Sequence, residues 1–284
     1  MNNIIVLTDF SLSARNAADL AVRIGAISGA DIILANAFSE LIRATVDDPH
    51  FWPLETELIH DSETLLQTEA RRLKQHARVL PLPVQEPNLT IISFKGTIKA
   101  CITDLQKRHK MDLLVIGAGM QNEHKARYTP SDVEAIQTLA HSPILIVPEN
   151  YKSDGLVKNI CFVTDLAKFD IGVTGFVKRI ATELKAHLFI GHISKPLFNM
   201  DANEEMNTAA FMTNLEHLGL TKHEFQNCYH DDIITGVDKF CHYKKADILV
   251  MVHKKHSSLW TFFHQSITSA IKRRQQIPLL LIKE

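Results

Sequence analysis

Two stretches of the chain repeat each other at fixed spacing, and this repeat constrains the fold more than any motif does. "NNIIVLTDFS" near residue 2 resembles "VKNICFVTDLA" near residue 157. Aligning Asp9 with Asp165 also pairs Asn3 with Asn159 and Thr8 with Thr164. The same offset, without a gap, pairs "ADIILANAF" with "AHLFIGHIS". Further on, "MDLLVIGAG" matches "ADILVMVHK" with Asp112 against Asp247, and each aspartate is followed 31 residues later by a proline, Pro143 or Pro278. Between these anchors the first copy carries 21 extra residues, mostly across "ELIRATVDDPHFWPLETELIHD". Each copy has the length of an ordinary domain. The expectation is two similar domains, 1–150 and 155–284, joined by the polar stretch "PENYKSDGLVKN" with Pro148 and Gly155.

Within each copy, continuous apolar runs of strand length alternate with helical patterns. "IIVLT" and "ICFVT" suit strands buried on both faces. "SLSARNAADLAVRIGAISG" places Ala14, Ala17, Ala21 and Ile24 at helical spacing, with Ser11 or Ser13 as cap and Gly29 at the end. "DIILANAF" reads as strand, Ser62 to His76 as a long helix, "LTIISFKG" as strand and "TIKACITDLQKRHK" as helix. "DLLVIG", "SDVEAIQTLAHS" and "PILIVP" then give strand, helix, strand. The alternation predicts an α/β fold in which each domain is a five-stranded, mostly parallel sheet flanked by helices. Ligands on such sheets bind beyond the carboxyl ends of the strands, where the loops after "IIVLT" and "LLVIG" lie.

The bulk properties narrow the class. The chain has 284 residues, a formal net charge of -1, 45% hydrophobic and 22% charged residues. Near-neutral charge and the lack of a basic stripe speak against nucleic acid. No apolar run approaches the ~18 residues of a membrane span. The opening residues read as a strand rather than a leader, so a cytoplasmic protein is expected. Cys101, Cys161, Cys228 and Cys241 form no CxxC pair and fit a reducing compartment.

At "TDFS" after an apolar strand, the sequence resembles the universal stress protein family. So does an apolar strand ending in Gly117, followed by a loop, a serine-led helix and a Pro-headed last strand. Two copies resemble the family's tandem form, and the likeness covers nearly the whole chain. It implies a Rossmann-like fold of the adenine nucleotide alpha hydrolase-like type, with domains pairing through their last strands, here "ILIVP" and "LLLIK", and further dimerisation. Nucleotide-binding members carry glycine, two residues, glycine, nine residues, then glycine with serine or threonine. Glycines let the backbone approach phosphates, whose oxygens take N–H groups and a hydroxyl. In the first copy those positions are Gly117, Met120, Pro130 and Ser131; in the second they are Val252, Lys255, Gln265 and Ser266. A bulky side chain and a proline without an N–H replace two of the first copy's glycines, and the second copy keeps none. The acidic residue that the family places near adenine corresponds to Asp9 and Asp165. The His-Val that ends its second strand is Asn36-Ala37 and His192-Ile193 here. The implied site residues are therefore Asp9, Ala37, Gly117, Ser131, Asp165, Ile193 and Ser266, in an eroded nucleotide site. Lys125, Lys254 and Lys255 are the cations that would hold phosphate as point charges; solvated loop lysines are the plainer reading.

Other constellations have ordinary explanations. His253, His256 and His264, with Cys228, His230 or Asp231, offer imidazole spacing for zinc or nickel but not an assembled set of four, and no metal is expected. Trp260, Phe262 and Phe263 fill a cleft or pack at an interface rather than form a lid. Phe51 and Trp52, in the first copy's insertion, serve a partner or pack locally. Ser131 and Ser266 read as helix caps, and Asp231-Asp232, at the positions of Gly96-Thr97, reads as a cap before a metal ligand. No nucleophile stands beside a base, so no enzyme is expected. The reading is a non-enzymatic stress-response or signalling factor that binds a protein partner or small ligand, without a required cofactor. The competing class is a sensor binding ATP or another adenine nucleotide in the first domain, and a weak ATPase is the third.

Overall fold

Strands buried on both faces need no alternation, and the apolar runs form them. The computed structural model of the chain describes residues 1–38, 55–80, 85–118, 130–152, 155–195, 202–219, 223–253 and 277–284. In the first unit these are β1 (Asn3–Leu7), α1 (Leu12–Ser28), β2 (Asp31–Phe38), α2 (Glu55–Arg78), β3 (Leu89–Lys95), α3 (Ile98–Arg108), β4 (Leu113–Ala118), α4 (Pro130–Leu139) and β5 (Ile144–Pro148). The second unit follows with β6 (Asn159–Thr164), α5 (Lys168–Glu183), β7 (His187–Ser194), α6 (Ala202–His217), β8 (His223–Tyr229), α7 (Ile233–Tyr243), β9 (Ile248–His253) and β10 (Leu279–Lys283). The compact units are Met1–Gly155 and Leu156–Glu284.

Strand order in the first unit is β3-β2-β1-β4-β5, and in the second β8-β7-β6-β9-β10, with parallel pairing throughout each. The order reverses direction between β1 and β4, and between β6 and β9, which is where such sheets open a ligand crevice. Ile4, Ile5, Val6 and Leu7 of β1 and Leu114, Val115 and Ile116 of β4 are fully buried, as are Phe162 and Ile190 in the second unit. No helix among the described residues is long and apolar enough to cross a membrane.

Local chemistry sets the helix ends. Ser11 caps α1 by accepting from the Ala14 N–H, and Gly29 closes it in the left-handed conformation, φ 73°. Thr97 caps α3 and Asp232, at the equivalent position, caps α7. Helix α2 begins at Glu55, earlier than the Ser62 start expected from the sequence.

The repeat anchors meet in space. Asp112, just before β4, accepts from the Asn2 and Asn3 N–H groups at 2.5 and 3.4 Å, while the Asn3 side chain donates to the Lys110 carbonyl at 3.0 Å. Asp247 accepts from the Lys158 and Asn159 N–H groups at 2.7 and 2.8 Å, and the Asn159 side chain donates to the Lys245 carbonyl at 3.0 Å. These paired latches tie neighbouring strands together at their amino ends, opposite the ligand edge. Of the residues that reveal the repeat, Asn3, Asp112, Asn159 and Asp247 are therefore scaffold rather than site.

Candidate functional site

The strand register brings the expected site residues together. Leu7 is level with Ala35 on one side and Ile116 on the other. Asp9, Ala37 and Gly117 thus lie at the carboxyl ends of three adjacent strands. In the second unit Thr164 is level with His192, and Val163 with Met251, so Asp165, Ile193 and Val252 occupy the same edge. Helix α4 begins at Pro130, which places Ser131 inside its first turn rather than at the cap; proline suits that first position because its missing N–H has no helical partner. Ser266 lies outside the described residues. So do Phe51, Trp52, Met120, Lys125, Lys254, Lys255, His256, Trp260, Phe262, Phe263, His264 and Gln265.

Asp9 is buried and organises its own turn. Its Oδ1 accepts from the Ser11 N–H at 3.0 Å and from the Ser11 hydroxyl at 2.5 Å. Phe10 between them holds a left-handed backbone, φ 64°, with its N–H donating to Thr8 Oγ1 at 3.0 Å. The second unit builds the same turn. Leu166 has φ 63° and donates to Thr164 Oγ1 at 2.9 Å, and the Ala167 N–H donates to Asp165 Oδ1 at 3.2 Å. A non-glycine residue in this region costs about 1 kcal/mol or more and persists where its surroundings impose it. Here the carboxylate two residues from its N–H partner does so, an Asx-type turn. Both aspartates therefore have a structural duty whatever ligand is present.

The units differ at the next step. Ala167 cannot cap α5 with a side chain. Asp170, at the position of Ala14, instead ties the helix to the preceding turn: it is buried in the first turn of α5, and its Oδ2 accepts from the Thr164 hydroxyl at 2.6 Å and the Asp165 N–H at 3.2 Å. A carboxylate near a helix N-terminus is favoured by the exposed N–H groups there. The second unit thus carries a buried carboxyl group where the first has a methyl group.

A polar residue inside β2 and one inside β7 pin this turn from the side. Asn36 donates to the Thr8 carbonyl at 2.6 Å. A hydroxyl chain supports it: Ser93 donates to Ser62 at 2.8 Å, and Ser62 to Asn36 Oδ1 at 2.9 Å. In the second unit His192 Nδ1 lies 2.9 Å from the Thr164 carbonyl. A carbonyl only accepts, so this ring carries its proton on Nδ1. Sequence reading gave neither residue a role. The available signal was a polar residue near the carboxyl end of each strand, recurring at the repeat offset.

Gly117 is explained by packing. A Cβ there would lie 2.3 Å from both Ser13 C and Ala14 N, and 2.5 Å from Ser13 O. The first turn of α1 rests directly on the β4 backbone. At the equivalent position Val252 is buried with its full side chain, so α5 cannot approach β9 in the same way.

Of Asp231-Asp232, Asp232 is the one that caps α7, accepting from the Thr235 hydroxyl at 2.6 Å and N–H at 3.0 Å, and these bonds hold its carboxyl below the usual range. Burial, with Asp104 adding to it, pushes the Cys101 thiol up to about 12. Cys241 is also pushed up, first by its hydrogen bond with Cys161 and then by burial. Neither is a ready nucleophile at neutral pH. Among the described residues no group of three His, Cys, Asp or Glu side chains is placed to hold a metal ion.

Comparison with known proteins bears on this site. The universal stress protein family model matches residues 1–148, more than half of the chain. No curated protein matches the sequence. Among solved structures, a universal stress protein from Archaeoglobus fulgidus superposes with a TM-score of 0.68 at 12% identity, covering 99% of this chain and 98% of the other. A functionally unknown protein from Pseudomonas aeruginosa gives 0.61 at 13%, covering 100% and 92%. A putative universal stress protein from the same species gives 0.60 at 14%, covering 100% and 93%. At such identities the superpositions show a shared fold spanning both units. The sequence match goes further, and on it the chain belongs to the universal stress protein family.

Proposed function

We propose that the protein is a non-enzymatic stress-response factor that acts by binding a protein partner or a small ligand, at a nucleotide site that has degenerated. The observation that carries this is Gly117. It is the one motif glycine kept in either copy, and its missing Cβ leaves room for the backbone of Ser13 and Ala14. The glycine therefore survives for a reason independent of nucleotide. Met120 and Pro130 replace the other two glycines, which agrees.

The second reading is an adenine-nucleotide sensor. It is favoured by the convergence of Asp9, Ala37 and Gly117 on one sheet edge, with Ser131 following in α4. Thermal melting with millimolar ATP and magnesium separates the two. A ligand at about a hundred times its dissociation constant adds about 2.7 kcal/mol, a shift of several degrees. The degenerate-site reading expects no shift and no phosphate release. A shift without release overturns it in favour of the sensor, and magnesium-dependent phosphate release overturns the non-enzymatic assignment.

A further inference from the structure

The contact between α1 and α2 gathers six ionisable side chains. Arg15, Asp19 and Arg23 come from α1; Glu69, Arg72 and His76 come from α2. Arg72 bridges Asp19 and Glu69, each at 2.7 Å, and Arg15 lies 3.9 Å from Glu69, which is buried. Burial opposes the Arg72 charge, yet Glu69 and Asp19 outweigh it and hold the guanidinium above its usual range.

Arg23 stands at the end of this network and reaches two ways. Its Nε donates to His76 Nε2 at 3.2 Å, and its Nη1 donates to the Gly155 carbonyl at 3.1 Å. Gly155 is the last residue of the first unit. A guanidinium only donates, so His76 Nε2 must present a lone pair and the ring must be neutral, with its proton on Nδ1. A second proton on the ring sets N–H against N–H and cation against cation. The charged groups facing His76 are Asp19 and Arg23 from α1 and Arg72 one turn back on α2. Asp19 is the strongest of these three and favours a charged ring, while burial together with Arg23 and Arg72 opposes it.

We propose that His76 is a pH-operated latch: its neutral ring holds Arg23 on the Gly155 carbonyl, and protonation releases the chain at Gly155. The direction agrees with the ring's surroundings. Burial first, then Arg23 and Arg72, lower the His76 pKa from 6.5, against the pull of Asp19. With the folded value depressed, the unfolded chain binds the extra proton first. The contribution is complete above pH 6.5 and is lost as pH falls through the lowered value.

The test is an NMR titration of the full chain from about pH 7.5 to about pH 5, the range in which histidine changes charge. It follows the His76 ring, the Gly155 carbonyl carbon and exchange of the Arg23 Nε–H, corrected for intrinsic pH dependence. The latch expects ring and carbonyl to share one midpoint below the usual histidine value. Arg23 Nε–H exchange should accelerate about tenfold on protonation, the loss of one hydrogen bond to a charged group. In His76→Gln, whose amide oxygen still accepts but does not titrate, the carbonyl and Arg23 signals should stay flat. A wild-type carbonyl that ignores the ring titration overturns the proposal, even if the variant fails to fold. Titration of Gly155 that persists in His76→Gln overturns it equally.

Discussion

Replacing Gly117 with alanine tests the packing account directly. The added Cβ would sit 2.3 Å from Ser13 C and Ala14 N, where non-bonded carbon needs about 3.5 Å. Both obstacles are backbone, so no side chain can swing aside. The start of α1 or the β4 strand must retreat by about 1 Å, the gap to that separation. That start is already constrained: Ser11 is held by Asp9, and the Ala14 N–H reaches Ser11 Oγ at 3.3 Å, with little slack. Overpacking of this kind costs about 1–3 kcal/mol and a lost cap about 1 more. Gly117→Ala should therefore lose about 2–4 kcal/mol of the 5–15 typical of a domain. The assay is urea unfolding of the full chain by circular dichroism, with Gly155→Ala as control, since a Cβ there meets nothing within 4 Å. The control should stay within about 0.5 kcal/mol. A Gly117→Ala protein as stable as the control would refute the reasoning and restore this glycine to a ligand. For the same reason Gly117→Asp is a poor probe of nucleotide binding, since it would disturb the fold before any ligand.

Other substitutions test other elements. Asp247→Ala should destabilise the second unit by about 1–2 kcal/mol in the same urea assay, because two backbone N–H groups lose a charged acceptor; Asp112→Ala should cost less, as its Asn3 bond is long at 3.4 Å. Gly172→Ala should raise stability by about 0.4–1 kcal/mol, since it lies within α5, in open space, without a left-handed backbone. Lys178→Met removes the ammonium that donates to the Leu218 and Gly219 carbonyls at 2.6 and 2.8 Å. Amide exchange in the last turn of α6 should then rise about tenfold, the loss of about 1.4 kcal/mol. In native protein at about pH 8, iodoacetamide should label Cys228 before Cys101 or Cys241, because reactivity follows thiolate and exposure; prior labelling of Cys101 would contradict its burial.

The sheet and the boundaries of α1 were readable because they rest on local chemistry. Apolar runs mark buried strands, Ser11 and Gly29 terminate α1, and Thr97 starts α3. The early start of α2 was not readable: "ETELIHD" sits in the first copy's insertion, where repeat alignment offers no partner and hides its helix formers. The candidate edge was legible in its strand order and not in its packing. The family resemblance implies Asp9, Ala37 and Gly117 at one edge, but the atoms that demand a glycine at 117 belong to Ser13 and Ala14, about a hundred residues earlier. Such a demand leaves no periodicity. The support of Thr8 by Asn36, Ser62 and Ser93 spans three elements and was invisible for the same reason.

The latches formed by Asp112 with Asn3 and by Asp247 with Asn159 have a consequence for which residues of the chain can change. At the amino edge the two copies still use the same residue types for the same bonds. At the carboxyl edge they have parted at Ser11 and Ala167, Ala14 and Asp170, Asn36 and His192, and Gly117 and Val252. Because folding is secured at one end of the strands, the other end is free to be rewritten. A scaffold tied at one end of its strands can be substituted at the other end in one half while the other half keeps its own residues.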